Sequence, residues 1–169
     1  MKDSVNSSSL VPPADWARVG LATGTNLSSR FLVLVTLLGA ALRFLELTGQ
    51  SLWVDELLTW QMIRPGIAAS FLEQFFDSIQ GPLYGAVAWP LIRIQDSPLM
   101  LRLPAALAGV AVIPVFGLFV SRLTGGRAAR LAVLLVALNP FHVCYSQEVR
   151  GYAFLMLFSV LMALAYLDL

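Results

Sequence analysis

The sequence contains few charged residues. They make up 12% of its 169 positions, whereas a soluble domain typically carries about 25%. Hydrophobic residues account for 58%. This composition is too apolar for a disordered chain and too poor in charge for a nucleic-acid binder or an ordinary soluble enzyme. The class that fits is a membrane protein with several spans. A net charge of +1 gives no overall field to steer a charged partner, and no nucleic-acid partner is expected.

Cysteine and histidine each occur once, as Cys144 and His142. One cysteine forms no internal disulfide, so the redox compartment cannot be inferred from it. One histidine excludes a metal site built on several histidines of this chain. The sequence also lacks a Gly-rich phosphate loop, a CxxC pair and a Ser/His/Asp set. No metal ligand is predicted, and no cofactor is required by these residues.

The first 30 residues are mostly polar, with three serines at 7–9 and two prolines at 12–13. Such a composition is typical of a disordered tail. It lacks the basic start and the small-residue cleavage site of a signal peptide, so the first apolar segment is expected to stay as a span. The predicted organisation is a cytoplasmic tail over 1–30 and an all-α membrane domain over 31–169.

Four apolar segments of 17 to 19 residues are predicted to cross the bilayer, at the short end of the roughly 17–25 residues that a span needs. They are Phe31–Thr48, Leu103–Ser121, Ala128–Cys144 and Gly151–Leu167. A fifth segment, Pro82–Gln95, would be about 21 Å long as a helix, less than the hydrocarbon core of about 30 Å. Its Tyr84 and Trp89 suit the headgroup region, so this segment is predicted to be an interfacial helix.

The distribution of charge predicts the orientation. Three arginines lie between 122 and 130 without a nearby acid, which places that loop in the cytoplasm. The segment 49–102 carries five acidic and three basic residues and is expected outside. The two assignments agree only if the interfacial helix does not span. Asp55, Glu56 and the cluster at 147–150 then share the external face of a multi-pass protein of the cell membrane.

Apolar spacing in this external segment predicts two further helices, Asp55–Arg64 and Ile67–Ser78, separated by Pro65-Gly66. Both are expected to fold on the membrane surface together with the interfacial helix. The segment is therefore not expected to form a separate soluble domain.

Asp55 and Glu56 lie about seven residues after the first span, between Trp53 and Trp60. One interpretation is that both acids only favour the N-terminus of a helix, where the helix dipole attracts negative charge. The other is that one carboxylate serves as a general base at the mouth of a membrane cavity. Adjacent helical residues point about 100° apart, so the two acids are not expected to share a task. One should be catalytic and the other structural.

Glu148 and Arg150 form a second candidate cluster beside a span. Ionisable groups there are costly and often functional, and the alternative is an ion pair that closes a helix end. His142 is either a ligand or proton carrier or, on the other interpretation, a hydrogen-bonded interface residue. Arg43 and Glu46 are three positions apart and are expected to pair with each other.

Four stretches of the sequence carry a family resemblance, and they extend from about residue 40 to the end: 41–56, 81–84, 101–107 and 139–152. The first resembles the first-loop motif of polytopic GT-C glycosyltransferases, above all the dolichyl-phosphate-mannose mannosyltransferase and aminoarabinose-transferase-like group. The other three resemble, in the same order, that family's His-Pro-Pro-Leu-Tyr element, its Arg-Leu-Pro-Ser-Ala-Leu element and its Ser-Pro-Phe-His-x-x-Tyr-Ser-Gln-Glu-Ala-Arg-x-Tyr element. One departure is Gln80-Gly81, where the family has His-Pro.

The resemblance implies an external-face enzyme that moves a sugar from a polyprenyl-phosphate donor to a hydroxyl of a glycan, lipid or protein acceptor. By this resemblance Asp55 is the catalytic base, with Glu56 beside it as a further catalytic candidate. Glu148 is a second carboxylate that orients the acceptor or helps to hold a divalent ion. Arg150 and Arg102 are expected to bind the lipid phosphate, since arginine pairs bidentately with phosphate oxygens.

Tyr84 and His142 complete the residues that the resemblance brings to the site. Members of the family are longer and have further spans, so the chain is expected to correspond to their N-terminal portion. It is not expected to catalyse transfer alone. Membrane lipids are its other expected partners.

Two other classes of protein compete with this interpretation. A non-catalytic membrane scaffold or assembly subunit would tolerate the loss of Asp55, whereas an enzyme would not. A transporter should show polar or broken mid-span residues along a path. Here the polar residues cluster at one face instead.

Overall fold

The computed structural model describes residues 27–45, 47–64 and 82–168, and every regular element within them is an α-helix. In chain order these helices are α1 Ser29–Phe44, α2 Val54–Ile63, α3 Pro82–Ile94, α4 Pro98–Thr124, α5 Gly126–Leu138, α6 Pro140–Gln147 and α7 Tyr152–Tyr166. The predicted all-α class is confirmed for this part of the chain. The predicted helix Ile67–Ser78 and residues 1–26 of the predicted tail lie outside it.

One helix, α4, is long and apolar enough to cross a membrane by itself. Its 27 residues correspond to about 40 Å. The pair α5 and α6 passes the same test together, but the two helices are bent by 50° at their junction. With 16 residues in α1 and 15 in α7, these helices are only about 22–24 Å long. The structure therefore supports one or two spans by length and composition, whereas the sequence predicted four.

The predicted uninterrupted helix Ala128–Cys144 is wrong, because α5 ends at Leu138 and α6 begins at Pro140. Asn139 Oδ1 accepts the backbone N–H groups of the second and third residues of α6, at 2.9 and 3.2 Å. Pro140 occupies the first helical position and has no N–H to donate to the preceding turn. The Asn-Pro pair thus ends one helix and caps the next.

Helix α4 is the centre of the fold and contacts α1, α3, α5, α6 and α7. Small residues on its surface permit this close packing. A Cβ at Gly109 would collide with the Ser146 side chain of α6, and one at Gly117 would collide with Val133 of α5. The backbones at these two crossings lie too close for any larger residue.

Helix α3 forms as predicted, but Tyr84 does not lie at a solvent or headgroup surface. It is 1% exposed and packs in a cluster with Leu101 and Ala105 of α4 and Ala153 of α7. Its hydroxyl donates to the Leu101 carbonyl at 2.8 Å. Burial raises the pKa of Tyr84 well above its usual value. Tyr84 therefore fixes α3 against α4 and is not a surface anchor.

Candidate functional site

Glu56 lies in the first turn of α2 and is 3% exposed. Its carboxylate accepts the backbone N–H of Trp53 at 3.2 Å and that of Val149 at 3.0 Å. It also pairs bidentately with Arg102, with Nη2 at 2.6 Å from Oε2 and Nε at 3.0 Å from Oε1. Both carboxylate oxygens are fully used, so Glu56 joins α2, α4 and the turn before α7.

Arg102 extends from the start of α4 and is also 3% exposed. Besides Glu56, its guanidinium donates to the carbonyls of Leu47 at 2.8 Å, Gln50 at 3.1 Å and Ser51 at 3.2 Å. An arginine side chain has five N–H donors, and all of these are taken. The geometry therefore fits a structural role for Arg102 and does not fit the predicted contact with a lipid phosphate.

Asp55 points away from this buried pair. Its side chain is 51% exposed and forms an ion pair with Arg150, which is 34% exposed. Arg150 Nε lies 4.0 Å from Glu148 Oε2, at the limit of an ion pair. The pairing of Glu148 with Arg150 at a helix end is therefore the weaker of the two contacts. The structure brings together the two acidic and basic clusters that the sequence placed on one face.

These residues surround a pocket of about 100 Å³, lined by Trp53, Asp55, Glu56, Glu148 and Arg150. Sites for whole drug-sized ligands typically have roughly 300–1,000 Å³. The pocket thus has room for a reacting group rather than for a complete sugar phosphate. Trp53, 68% exposed at its rim, was noticed in the sequence only as an interface marker.

His142 lies apart from this pocket and is 9% exposed. Its Nδ1 accepts a hydrogen bond from Arg43 of α1, which is itself fully buried and donates to backbone carbonyls of α1 and α5. The structure thus shows His142 as the hydrogen-bonded interface residue of the two interpretations. The sequence signal for this contact was an arginine inside an apolar segment, which requires a partner. Glu46, the partner expected for Arg43, lies outside the described residues.

Within the described ranges, 27–45, 47–64 and 82–168, no group of three or more His, Cys, Asp or Glu side chains could hold a metal ion. Asp55 and Glu148 flank Arg150, whose guanidinium already supplies the positive charge between them. These residues do not fit a divalent-ion site. The chemistry proposed below is derived without one.

All four sequence stretches that carry the family resemblance contact one another. Tyr84 of the second bonds the Leu101 carbonyl in the third, and Glu56 of the first pairs with Arg102 of the third. Asp55 of the first pairs with Arg150 of the fourth. Stretches separated by up to about 100 positions thus converge on one end of α4.

No protein-family model, curated protein or solved structure matches this chain. The resemblance to GT-C glycosyltransferases therefore stays an interpretation of the four stretches. Their physical convergence is the structural observation that bears on it.

Proposed function

We propose that this protein is a membrane glycosyltransferase that transfers a sugar from a polyprenyl-phosphate donor to an acceptor hydroxyl on the external face. The observation that carries the proposal is the exposed Asp55–Arg150 pair in a pocket with Glu148, held in place by the buried Glu56–Arg102 pair. Exposed charges beside apolar helices are costly without a function. A pocket with a carboxylate and a guanidinium suits a reaction that moves a proton and releases a phosphate.

Sugar transfer needs a base for the acceptor hydroxyl and a cationic group for the leaving phosphate. Asp55 takes the hydroxyl proton while the acceptor oxygen forms a bond to the anomeric carbon. The bond from that carbon to the phosphate oxygen breaks, and its electron pair leaves with the phosphate. A single displacement of this kind inverts the anomeric configuration.

Arg150 is placed for the phosphate. The donor is a phosphodiester with one negative charge, and the released polyprenyl phosphate gains a second as the bond breaks. The attraction to a guanidinium therefore grows towards the transition state, which is the condition for catalysis. A phosphate that draws Arg150 towards itself also frees the Asp55 carboxylate from its ion pair. Glu148, on the far side of Arg150, is left to orient the acceptor.

The placement in the membrane is also part of the proposal. Helices α1, α5 and α7 expose large apolar side chains, among them Leu34 at 66%, Leu135 at 71% and Leu155 at 66%. Such faces suit lipid, and we take α1, α4, the bent pair α5–α6 and α7 as four spans. Along α4, Arg102 and Arg122 are about 30 Å apart, which equals the thickness of the hydrocarbon core. The site then lies outside, and the loop after α4 lies in the cytoplasm with the N-terminus.

The catalytic proposal is tested by transfer of a labelled sugar from a polyprenyl-phosphate donor in membranes that contain Asp55→Asn. A positioned general base contributes about 10²–10⁴-fold, so the rate should fall by that factor. The matched control is Asp96→Asn, because Asp96 is an exposed acid of the same external segment and accepts a hydrogen bond from Trp60 at 2.6 Å. It should keep the original rate. Equal activity of both variants would favour the non-catalytic scaffold.

The orientation is tested separately with single cysteines in a Cys144→Ser background. Gln95 and Thr124 are both exposed and lie near opposite ends of α4. An impermeant thiol reagent added outside should label Gln95→Cys and leave Thr124→Cys unlabelled. Labelling at 124 from outside would reverse the proposed topology.

A further inference from the structure

A second cavity, of about 250 Å³, lies where α5, α6 and the start of α7 meet. Its lining includes Val136, Phe141, Met156 and the rings of Tyr145 and Tyr152. The two tyrosine rings contact each other edge to face, with their centroids 5.0 Å apart. Branched apolar and aromatic surface of this kind suits a hydrocarbon ligand.

The polar groups of this cavity are already bonded, with one exception. Asn139 caps α6, and the Ser146 hydroxyl donates to the His142 carbonyl. Nδ1 of His142 faces the guanidinium of Arg43, which can only donate, so the ring carries its proton on Nε2. That Nε2 is buried and has no hydrogen-bond partner among the described residues. The cavity thus offers one unused donor to a ligand oxygen.

The cavity adjoins the candidate site through Tyr152. This residue lines the cavity, and its hydroxyl lies 3.4 Å from Arg150 Nη1. A ligand that extends from one to the other would place an anionic group at Arg150 and an apolar chain in the cavity. The arrangement matches a lipid phosphate, in which an ester oxygen links the two parts.

We infer that this cavity binds the phosphate-proximal isoprene units of the lipid donor, with His142 Nε2 donating to the ester oxygen that joins chain and phosphate. The inference rests on the proposed function, since it assumes that Arg150 binds the lipid phosphate. The cavity is smaller than the roughly 300–1,000 Å³ of a site for a whole ligand. It therefore binds only the start of the chain, and the remainder lies in the bilayer.

The test is photolabelling in membranes with a polyprenyl phosphate that carries a diazirine on its first isoprene unit, followed by mapping of the labelled residues. The label should attach to cavity residues of α6 and α7. Met156→Trp, which fills the cavity, should lower that labelling about tenfold, equivalent to roughly 1.4 kcal/mol of binding. Leu155→Trp is the matched control, because Leu155 is the preceding residue and is 66% exposed. It should label as the original protein does.

A second matched pair guards against a variant that fails to fold. Val136→Phe should reduce labelling, whereas Leu135→Phe, at a position 71% exposed, should not. Unlabelled polyprenyl phosphate should compete with the probe, and phosphatidylglycerol at the same concentration should not. Labelling of outward residues in place of the cavity, or equal competition by phosphatidylglycerol, would overturn the inference.

The failure of the inference is distinguishable from that of the proposed function. If probe binding depends on Arg150 but the label lies outside the cavity, the lipid-phosphate site stands and the inferred chain site is wrong. If Asp55→Asn keeps full transfer activity, the catalytic proposal is wrong wherever the label lies.

Discussion

Asp55 and Glu56 are neighbours in the sequence, yet each pairs with a different arginine in a different environment. The side chains of Glu56 and Arg102 are 3% and 4% exposed, whereas those of Asp55 and Arg150 are 51% and 34% exposed. The buried pair is saturated with hydrogen bonds to three loop carbonyls and two backbone N–H groups. The exposed pair lines a pocket. The first pair therefore fixes the backbone that presents the second.

The physical cause of this difference is the helix itself. Successive residues of α2 project about 100° apart, so an inward Glu56 requires Asp55 to project elsewhere. Exposed ion pairs contribute about 0–1 kcal/mol to stability. Breaking a buried pair by removing one partner costs about 3–5 kcal/mol, because the remaining charge is left without a partner. The two pairs should thus respond very differently to substitution.

The largest effect on stability is expected for Arg102→Gln. This change leaves the buried Glu56 carboxylate without its cation, so the free energy of unfolding should fall by about 3–5 kcal/mol. The measurement is an unfolding titration in detergent micelles. The matched control is Arg93→Gln, because Arg93 is exposed and stacks on Trp89, with its guanidinium 3.5 Å from the ring centroid. Its loss should cost about 1 kcal/mol or less. Equal stability of the two variants would contradict the structural role of Arg102.

A smaller effect, on binding, is expected for Arg150→Gln. A hydrogen bond to a charged group is worth about 1.5–3 kcal/mol, so affinity for polyprenyl phosphate should fall by about ten- to a hundredfold. Arg150→Lys keeps the charge but loses the bidentate geometry and should restore only part of the affinity. Binding is measured by competition against the photolabelled lipid. Unchanged affinity in Arg150→Gln would remove the phosphate from this site.

The smallest effect is expected for the stability of Asp55→Asn. The Asp55–Arg150 pair is exposed, so its loss should change the free energy of unfolding by less than about 1 kcal/mol. The same unfolding titration measures it. A cost as large as that of Arg102→Gln would show that the exposed pair is structural too, and the contrast between the pairs would disappear.

Much of this arrangement could be predicted from the sequence. Periodicity predicted α2 and α3 to within one residue at each end, and charge placement predicted that Asp55 and the cluster at 147–150 would lie on one face. The break at Asn139-Pro140 was missed because hydrophobicity continues across it. An average over apolar residues contains no information on the missing N–H of a proline.

The division of roles between the two acids could be predicted only in part. Helical geometry required them to diverge, but it gave no indication of which would be buried. That outcome depends on Arg102, 46 positions further along the chain, and on the Val149 N–H. The burial of Arg43 against His142 is a contact of the same long-range kind. Local patterns do not specify such partners, because tertiary packing does.

The most direct test of the account compares Asp55→Asn and Glu56→Gln in one preparation, with sugar transfer measured per folded molecule and unfolding measured alongside. Asp55→Asn should unfold like the original protein and transfer sugar about 10²–10⁴-fold more slowly. Glu56→Gln should be clearly less stable, while its folded fraction retains much more of the transfer rate. Full activity in Asp55→Asn, or a greater loss of transfer per folded molecule in Glu56→Gln, would contradict the assignment of Asp55 as the reacting carboxylate.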